Sequence, residues 1–261
     1  MILLLIVIAC SSTPQGEGQW VVIWADEFRG ASGEPPDPSR WTYDVGGDGW
    51  GNGQLEYNTD RVENAAQNGD GVLEIVARKE DYEGNAYTSA RIKTDGLFEH
   101  GYGRFEARIR VPEGKGLWPA FWMLGAEFND IGWPWCGEVD ILEMKGEAPE
   151  TIYGTIHGPG YSGSGGISGG LTLDDGAFSD GYHNYAVEID EGHIAWLVDD
   201  VVYQRITAAD LPADATWVND DPFFLILNLA VGGNYVAAPD ETTELPATMK
   251  VDWVRVSERA W

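Results

Sequence analysis

Apolar and polar residues alternate with a period of two along much of this chain. In Arg104–Val111, Phe105, Ala107, Ile109 and Val111 fall on one side, and Arg104, Glu106, Arg108 and Arg110 on the other. Successive side chains of a strand point to opposite faces, so this pattern predicts a sheet with one buried face. The same reading predicts strands over Trp20–Phe28, Gln54–Thr59, Val72–Arg78, Ser89–Thr94, Trp118–Leu124 and Glu138–Met144. It continues with Thr151–His157, Asn184–Ile189, Ile194–Val198, Phe223–Val231 and Lys250–Val256. Gly, Asp and Asn separate these runs as turn residues. Helix is expected only as a turn or two near Ala208–Ala213. The Gly/Ser-rich stretch Gly158–Gly170 is expected to be a mobile loop. The pattern predicts an all-β sandwich or barrel, with no internal repeat and one domain over residues 19–261.

One run breaks the alternation. In Glu138-Val-Asp-Ile-Leu-Glu-Met144, Glu138 and Asp140 share a face, but strict alternation would turn Glu143 into the core. A buried charge there would be costly. One extra residue at Ile141–Leu142, a β-bulge, returns Glu143 to its partners and Met144 to the core. Glu138 and Glu143 would then lie roughly 13 Å apart at Cα. Their long side chains can lean together toward the ~5.5 Å that glycoside cleavage with retention requires. Asp140, between them, can raise the pKa of an acid partner by like-charge repulsion. An acidic, solvated strand face is the plain alternative.

Aromatic residues around this run support a sugar-binding reading. Trp118 and Trp122 share one face of Trp118–Leu124, while Phe121 and Met123 take the other. Both faces carry large apolar groups, so one covers the core and the other meets a ligand. Trp133 lies just before the triplet and can wall the same cleft. His157 ends the strand Thr151–His157, and can bind a hydroxyl or tune Glu143. Asn52 sits in a Gly-rich turn, and Arg91 reads as an outward strand cation.

Composition narrows the partners. Of 261 residues, 43 are acidic and 16 basic, only five of them lysine, for a net charge of −27. Nucleic acid is excluded as a partner on this balance, and an anionic membrane surface is disfavoured. A neutral ligand meets no repulsion. The acidity fits either a salt-adapted surface or an ordinary acidic extracellular protein.

Residues 1–18 read as a leader and tether. Met1–Ala9 is apolar but shorter than the roughly 20 residues of a membrane span. Val7-Ile8-Ala9-Cys10 is similar to a lipoprotein cleavage box, which predicts export and a lipid anchor at Cys10. Cys136 then has no partner; a Cys10–Cys136 bridge is the alternative.

Together these segments resemble glycoside hydrolase family 16, in its laminarinase branch. The matching motifs are Trp24-Ala-Asp-Glu-Phe28, Gly49-Trp-Gly-Asn-Gly-Gln-Leu-Glu-Tyr57, Arg91-Ile-Lys-Thr94, Tyr102-Gly-Arg-Phe-Glu106 and Trp118–Leu124. They continue with Gly137-Glu-Val-Asp-Ile-Leu-Glu-Met144, Gly154-Thr-Ile-His157, Asn228-Leu-Ala-Val-Gly-Gly233 and Val251-Asp-Trp-Val-Arg-Val256. The resemblance implies a β-jelly-roll of two curved antiparallel sheets with a cleft across the concave one. It implies an endo-β-1,3-glucanase acting with retention on β-glucan, needing no cofactor for catalysis. Glu138 would be the nucleophile, Glu143 the acid/base and Asp140 their assistant. Asn52, Arg91, Trp118, Trp122, Trp133 and His157 would line the subsites. The resemblance also implies a structural Ca²⁺ on Glu27, the Gly71 carbonyl and Asp252, and a monomer is expected. Agarase, carrageenase and mixed-linkage glucanase specificities stay open, as do a non-catalytic sugar binder and a structural lipoprotein. Cys136, next to the triplet, is unexplained at this point.

Overall fold

The structure is a computed structural model that describes residues 18–260. Cys10 and nearly all of the expected leader lie outside the described residues. The strands are β1 (Gln19–Asp26), β2 (Thr42–Tyr43), β3 (Glu56–Asn58), β4 (Ala65–Gln67), β5 (Leu73–Tyr82) and β6 (Asn85–Ser89). They continue with β7 (Arg91–Lys93), β8 (Gly103–Arg110), β9 (Leu117–Gly125), β10 (Glu138–Met144), β11 (Thr151–His157) and β12 (Ile167–Thr172). The last five are β13 (His183–Asp190), β14 (His193–Val198), β15 (Val201–Thr207), β16 (Phe223–Val231) and β17 (Ala247–Ala260). One short helix, α1 (Phe128–Ile131), leads into β10.

Two sheets make an all-β jelly-roll sandwich. The larger runs β15-β14-β13-β8-β17-β5-β6-β3, with β1 added on β17 and β4 on β5. The smaller runs β12-β11-β10-β9-β16-β7-β2. All pairings are antiparallel except β3 with β6. The core fills the space between the sheets. Phe105, Ala107 and Ile109 of β8 meet this space from one side, and Phe121, Met123, Val139 and Leu142 from the other, all fully buried. The period-two pattern of β8 therefore did select its core face.

Central strand β16 is buried along its whole length. Leu225, Leu227 and Leu229 join the main core. Its other face packs outward in two small clusters: Phe224 and Ile226 beside Leu124, Cys136 and Trp122, and Ala230 beside Trp118 and Val236. The outer side of the smaller sheet thus has an apolar floor of its own.

Most expected strands appear, with ends shifted by a few residues. Three expectations are corrected. Part of the Gly158–Gly170 segment is ordered as a 3₁₀ turn over Gly163–Gly165 and the start of β12, which pairs residue for residue with β11. Its glycines permit close stacking: a Cβ on Gly169 would lie 2.4 Å from Gln204 Oε1. The run Ser89–Thr94 divides at buried Ala90, so that β6 and β7 enter different sheets. Arg104, on the polar side of β8, is buried beneath carboxylates rather than solvated. β15 was not predicted, because as an edge strand it alternates weakly. The helical turn near Ala208 is a 3₁₀ turn over Ala208–Asp210, closed by the Asp210 carboxylate on the Thr207 N–H and hydroxyl.

Candidate active site

The site is built on β10. Glu138 pairs with Leu124 and Asp140 with Trp122 of β9, in regular register. Two residues, Ile141 and Leu142, then face the single residue Phe121 before Glu143 resumes opposite Ala120. On the other side, Ile141 and Leu142 oppose only Gly154, between Thr155 and Tyr153. This is the bulge that the sequence required. Residues directly opposite in antiparallel pairs share a face. Glu138, Asp140 and Glu143 therefore stand with Trp122 and Ala120 on the outer face, while both bulge residues are buried in the core.

The bulge is supported from beneath. Trp196 of β14, fully buried, donates its indole N–H to the Asp140 carbonyl at 2.8 Å. That satisfies a backbone acceptor beside the interrupted ladder. Gly154 makes room for the ring: a Cβ there would lie 2.3 Å from Trp196 Cδ1. The Gly in Gly154-Thr-Ile-His157 is thus a packing requirement.

Indole donors hold the outer carboxylates. Trp118 Nε1 donates to Glu143 Oε1 at 3.0 Å. Trp133 Nε1 donates to Glu138 Oε2. His157 Nε2 lies 3.3 Å from Asp140 Oδ2, and its ring is 6.2 Å from that of Trp133. Asp140 is only 3% exposed. Trp122 is turned to Asn228 of β16, donating at 2.7 Å, and carries the Arg91 guanidinium 4.6 Å over its ring.

Arg91 stands on the outer face as alternation expects, opposite Asn228. It is half-buried there, with Nε 2.9 Å from Asp44 and Trp50 5.2 Å away on a second side. Burial lowers its pKa, opposed by Asp44, Glu138 and Glu56. Asn52 is exposed on the rim, its carbonyl bonded to the Asn234 N–H at 2.7 Å, which clasps two loops beside the site.

Among the described residues no lysine or arginine forms an ion pair with the triplet, and its proton affinity follows. Burial pushes the Glu138 carboxyl up to about 8, helped by Asp140 and opposed by His157, the Trp133 hydrogen bond and Arg91. Burial likewise pushes Asp140 up to about 7. Glu143 is raised well above the usual carboxylate range, by burial and then by the charges of Asp140 and Glu138. Burial and the charges of both neighbouring carboxylates all act to keep the proton on Glu143, which suits it to act as an acid.

Several residues at the site were missed from sequence. Tyr235 packs on Trp118 at 4.8 Å between ring centroids, with the Lys145 ammonium 4.5 Å over it. Tyr153 meets Tyr235 edge-on at 6.4 Å. Asp44, Trp50 and Asn228 complete the Arg91 side. Asn228 carried a signal: a lone amide in an apolar run needs a buried partner. Tyr235 and Lys145 carried none, since loops bring them together.

Glu138, Asp140 and His157 place one potential ligand atom each within 4.8 Å of one another. Two of the three belong to the triplet itself. The expected calcium residues lie in the other sheet. Pairing of β17 with β5 runs out at Val251, and its pairing with β1 begins at Val254. Glu27, Gly71 and Asp252 therefore converge where β17 has its own bulge. The Glu27 side chain is committed to Arg255, at 2.8 and 3.1 Å. One Asp252 oxygen is taken by Arg108 at 2.5 Å. What remains for a cation is the Glu27 carbonyl, the Gly71 carbonyl and the second Asp252 oxygen. The Glu27 carbonyl is 3.8 Å from where a Gly71 Cβ would be. Oxygen donors of this kind suit Ca²⁺.

A jelly-roll with a floor of indoles and three carboxylates re-aligned by a bulge defines a glycoside hydrolase. The chain belongs to the glycosyl hydrolases family 16, whose sequence profile matches residues 51–255. It is 43% identical over 266 residues to a beta-glucanase of Rhodothermus marinus, covering 97% of this chain and 92% of that protein. The endo-β-1,3-glucanase of Pyrococcus furiosus superposes with a TM-score of 0.88 at 45% identity, over 93% of this chain and 96% of that one. The catalytic domain of an endo-1,3-β-glucanase (laminarinase) from Thermotoga petrophila gives 0.87 at 44% identity, over 94% and 100%.

Proposed function

We propose that this protein is a retaining endo-glycosidase that hydrolyses β-1,3-linked glucan by double displacement. The observation that carries the reading is the bulge at Ile141–Leu142, which sets Glu143 on the same face as Glu138. Protonated Glu143 gives its proton to the leaving glucosyl oxygen. Ionised Glu138 attacks the anomeric carbon and displaces that oxygen, forming a glycosyl ester. Water, deprotonated by Glu143, then attacks the same carbon and frees Glu138, with the β configuration restored. Asp140 and His157 position the pair. Trp118, Trp122, Trp133, Arg91 and Asn52 bind the sugars. The glucan linkage is supported by the names of the relatives above.

The test is reducing-end release from laminarin, barley glucan, lichenan, agarose and carrageenan, with product sizing and NMR of the first anomer formed. Laminarin should be cut fastest, into oligosaccharides, with the β anomer appearing first. Agarose or carrageenan as the preferred substrate would overturn the linkage. An α anomer appearing first would overturn the mechanism.

Three further assignments belong to this reading. A calcium ion would be held by the carbonyls of Glu27 and Gly71 with Asp252, tying β1 and β5 to β17. Adding EDTA should then lower the melting temperature by several degrees, reversed by Ca²⁺. The N-terminal pattern supports export with a lipid on Cys10, which mass spectrometry of the membrane fraction would detect. The protein is expected to be a monomer by sedimentation.

A further inference from the structure

The segment joining α1 to β10 exposes more apolar surface than its surroundings. Trp135 is 61% exposed, Ile131 48% and Trp133 44%. Other tryptophans, such as Trp41 and Trp196, are fully buried. Trp133 is accounted for by its bond to Glu138. Trp135 has no such account: among the described residues it makes no ring pair and belongs to no apolar cluster.

This exposure does not come from a loose loop. Cys136 N donates to the Gly132 carbonyl at 3.0 Å, Gly137 N to Pro134 at 3.2 Å, and Gly125 N to Gly137 at 3.1 Å. Cys136 is 4% exposed, packed against Leu124, Phe224 and Ile226. Gly125 approaches so closely that a Cβ would lie 1.8 Å from the Cys136 carbonyl oxygen. Burial raises the thiol pKa to about 11, so Cys136 is an inert anchor rather than a reactive group. With Cys136 directed inward, its neighbour Trp135 is presented outward by a pre-ordered loop, and little ordering cost is left for binding.

Ile131, Trp133 and Trp135 expose apolar surface within five residues, and a concentrated exposed apolar patch marks a contact surface. Its occupant must tolerate the charge of this chain. A second copy also carries −27 and would be repelled, as would a polyanion. A neutral polysaccharide is not, and Trp135 lies two residues along the chain from Trp133, which bonds Glu138. We propose that Trp135 is a stacking platform outside the cleft, binding glucose units of a long β-glucan chain beyond those at the carboxylates. This rests on the function proposed above and extends the site to polymer capture.

The test compares wild type, Trp135→Ala and Trp135→Phe on laminarin and on laminaritetraose. Retention on insoluble β-1,3-glucan is measured separately, with each Trp135 form carrying Glu138→Gln. A sugar–aromatic contact of ordinary strength predicts about a three- to tenfold loss of polymer retention and a matching rise in KM for laminarin in the Ala variant. Laminaritetraose turnover and melting temperature should be unchanged, and Phe should restore most of the loss. Equal polymer binding in the Ala variant would overturn the platform. So would an equal loss on the tetrasaccharide, or a dimer that the substitution converts to monomer. If wild type cleaves laminarin and Trp135→Ala is indistinguishable from it, only the platform fails. If wild type neither binds nor cleaves glucan, the functional reading fails with it.

Discussion

The outer faces of the two sheets treat acids in opposite ways. On the larger sheet, Arg104 lies between Glu106, Glu188 and Asp200, at 2.5, 3.1 and 2.6 Å. Arg259 joins Glu188 at 3.3 Å, Arg255 holds Glu27, and Arg108 holds Asp252. On the smaller sheet, three carboxylates sit within six residues of β10, held by two indole N–H groups and a histidine. Paired acids are held as anions: Arg255 keeps Glu27 below the usual carboxylate range. The triplet carboxyls, with no arginine or lysine partner, hold their protons more tightly than usual. In a chain this acidic, scarce arginines are placed where charge must be neutralised. On the smaller sheet Arg91 is spent on Asp44, and none forms an ion pair with the triplet among the described residues.

Breaking the β10 arrangement should have the largest effect. Glu138→Gln should reduce laminarin turnover about 10⁴-fold or more while leaving fold and glucan retention intact, since on the proposed mechanism it removes the nucleophile without changing its volume. Glu143→Gln should do the same for substrates with poor leaving groups and be partly rescued by an activated aryl leaving group. Wild-type rates in either variant would dissolve the contrast between the faces.

Next comes the support under the bulge. Trp196→Phe removes the donor to the Asp140 carbonyl and leaves that buried acceptor unpaired. It should cost about 1–3 kcal/mol in denaturant unfolding and lower kcat more than it raises KM. An unchanged kcat would mean that the bulge holds itself.

On the other sheet, Arg104→Ala strands three carboxylates. Full burial would make this a 3–5 kcal/mol loss. Asp200 is largely exposed, so about 2 kcal/mol is expected. The kcat should stay within about twofold of wild type. A large loss of activity at unchanged stability would tie the ion-pair network to catalysis.

The smallest effect is in pH dependence, and its sign separates the faces. Glu138 and Asp140 bind protons more tightly folded, near 8 and 7, than unfolded, where carboxylates titrate near ~4. Their stabilising contribution is therefore complete below ~4 and is lost as pH rises through 7 to 8. Buried Glu56, raised to about 7, acts in the same direction. Glu27 is depressed, so its contribution is present at neutral pH and lost as pH falls below ~4. Melting temperature should peak between these limits. Asp140→Asn should flatten the alkaline limb, raising the melting temperature at pH 8 by roughly 3 °C or more. An alkaline limb unchanged in Asp140→Asn would show that the triplet is not the source.

Alternation along the chain was enough to find nearly every long strand. It also predicted the bulge, because a charge facing the core at Glu143 was the costlier option. Those are local constraints: a period of two and the price of burying a charge. Other features were not local. β15 is an edge strand whose half-exposed side chains carry little pattern. Arg91 alternates like a surface residue, and is shielded from solvent only because Asp44, Trp50 and Trp122 arrive from three other segments. Tyr235 and Lys145 meet beside Trp118 through loops of unrelated sequence.

The sequence by itself determined the all-β class, the faces of the central strands, and the identity of the three carboxylates and their tryptophans. Tertiary structure alone decided that Trp196 reaches under the bulge through the gap at Gly154, and that Cys136 is a buried anchor. It also decided that the outer oxygens of Glu27 belong to Arg255. Each of these depends on which distant residue fills a given space, and close packing between two sheets settles that only when the whole chain is in place.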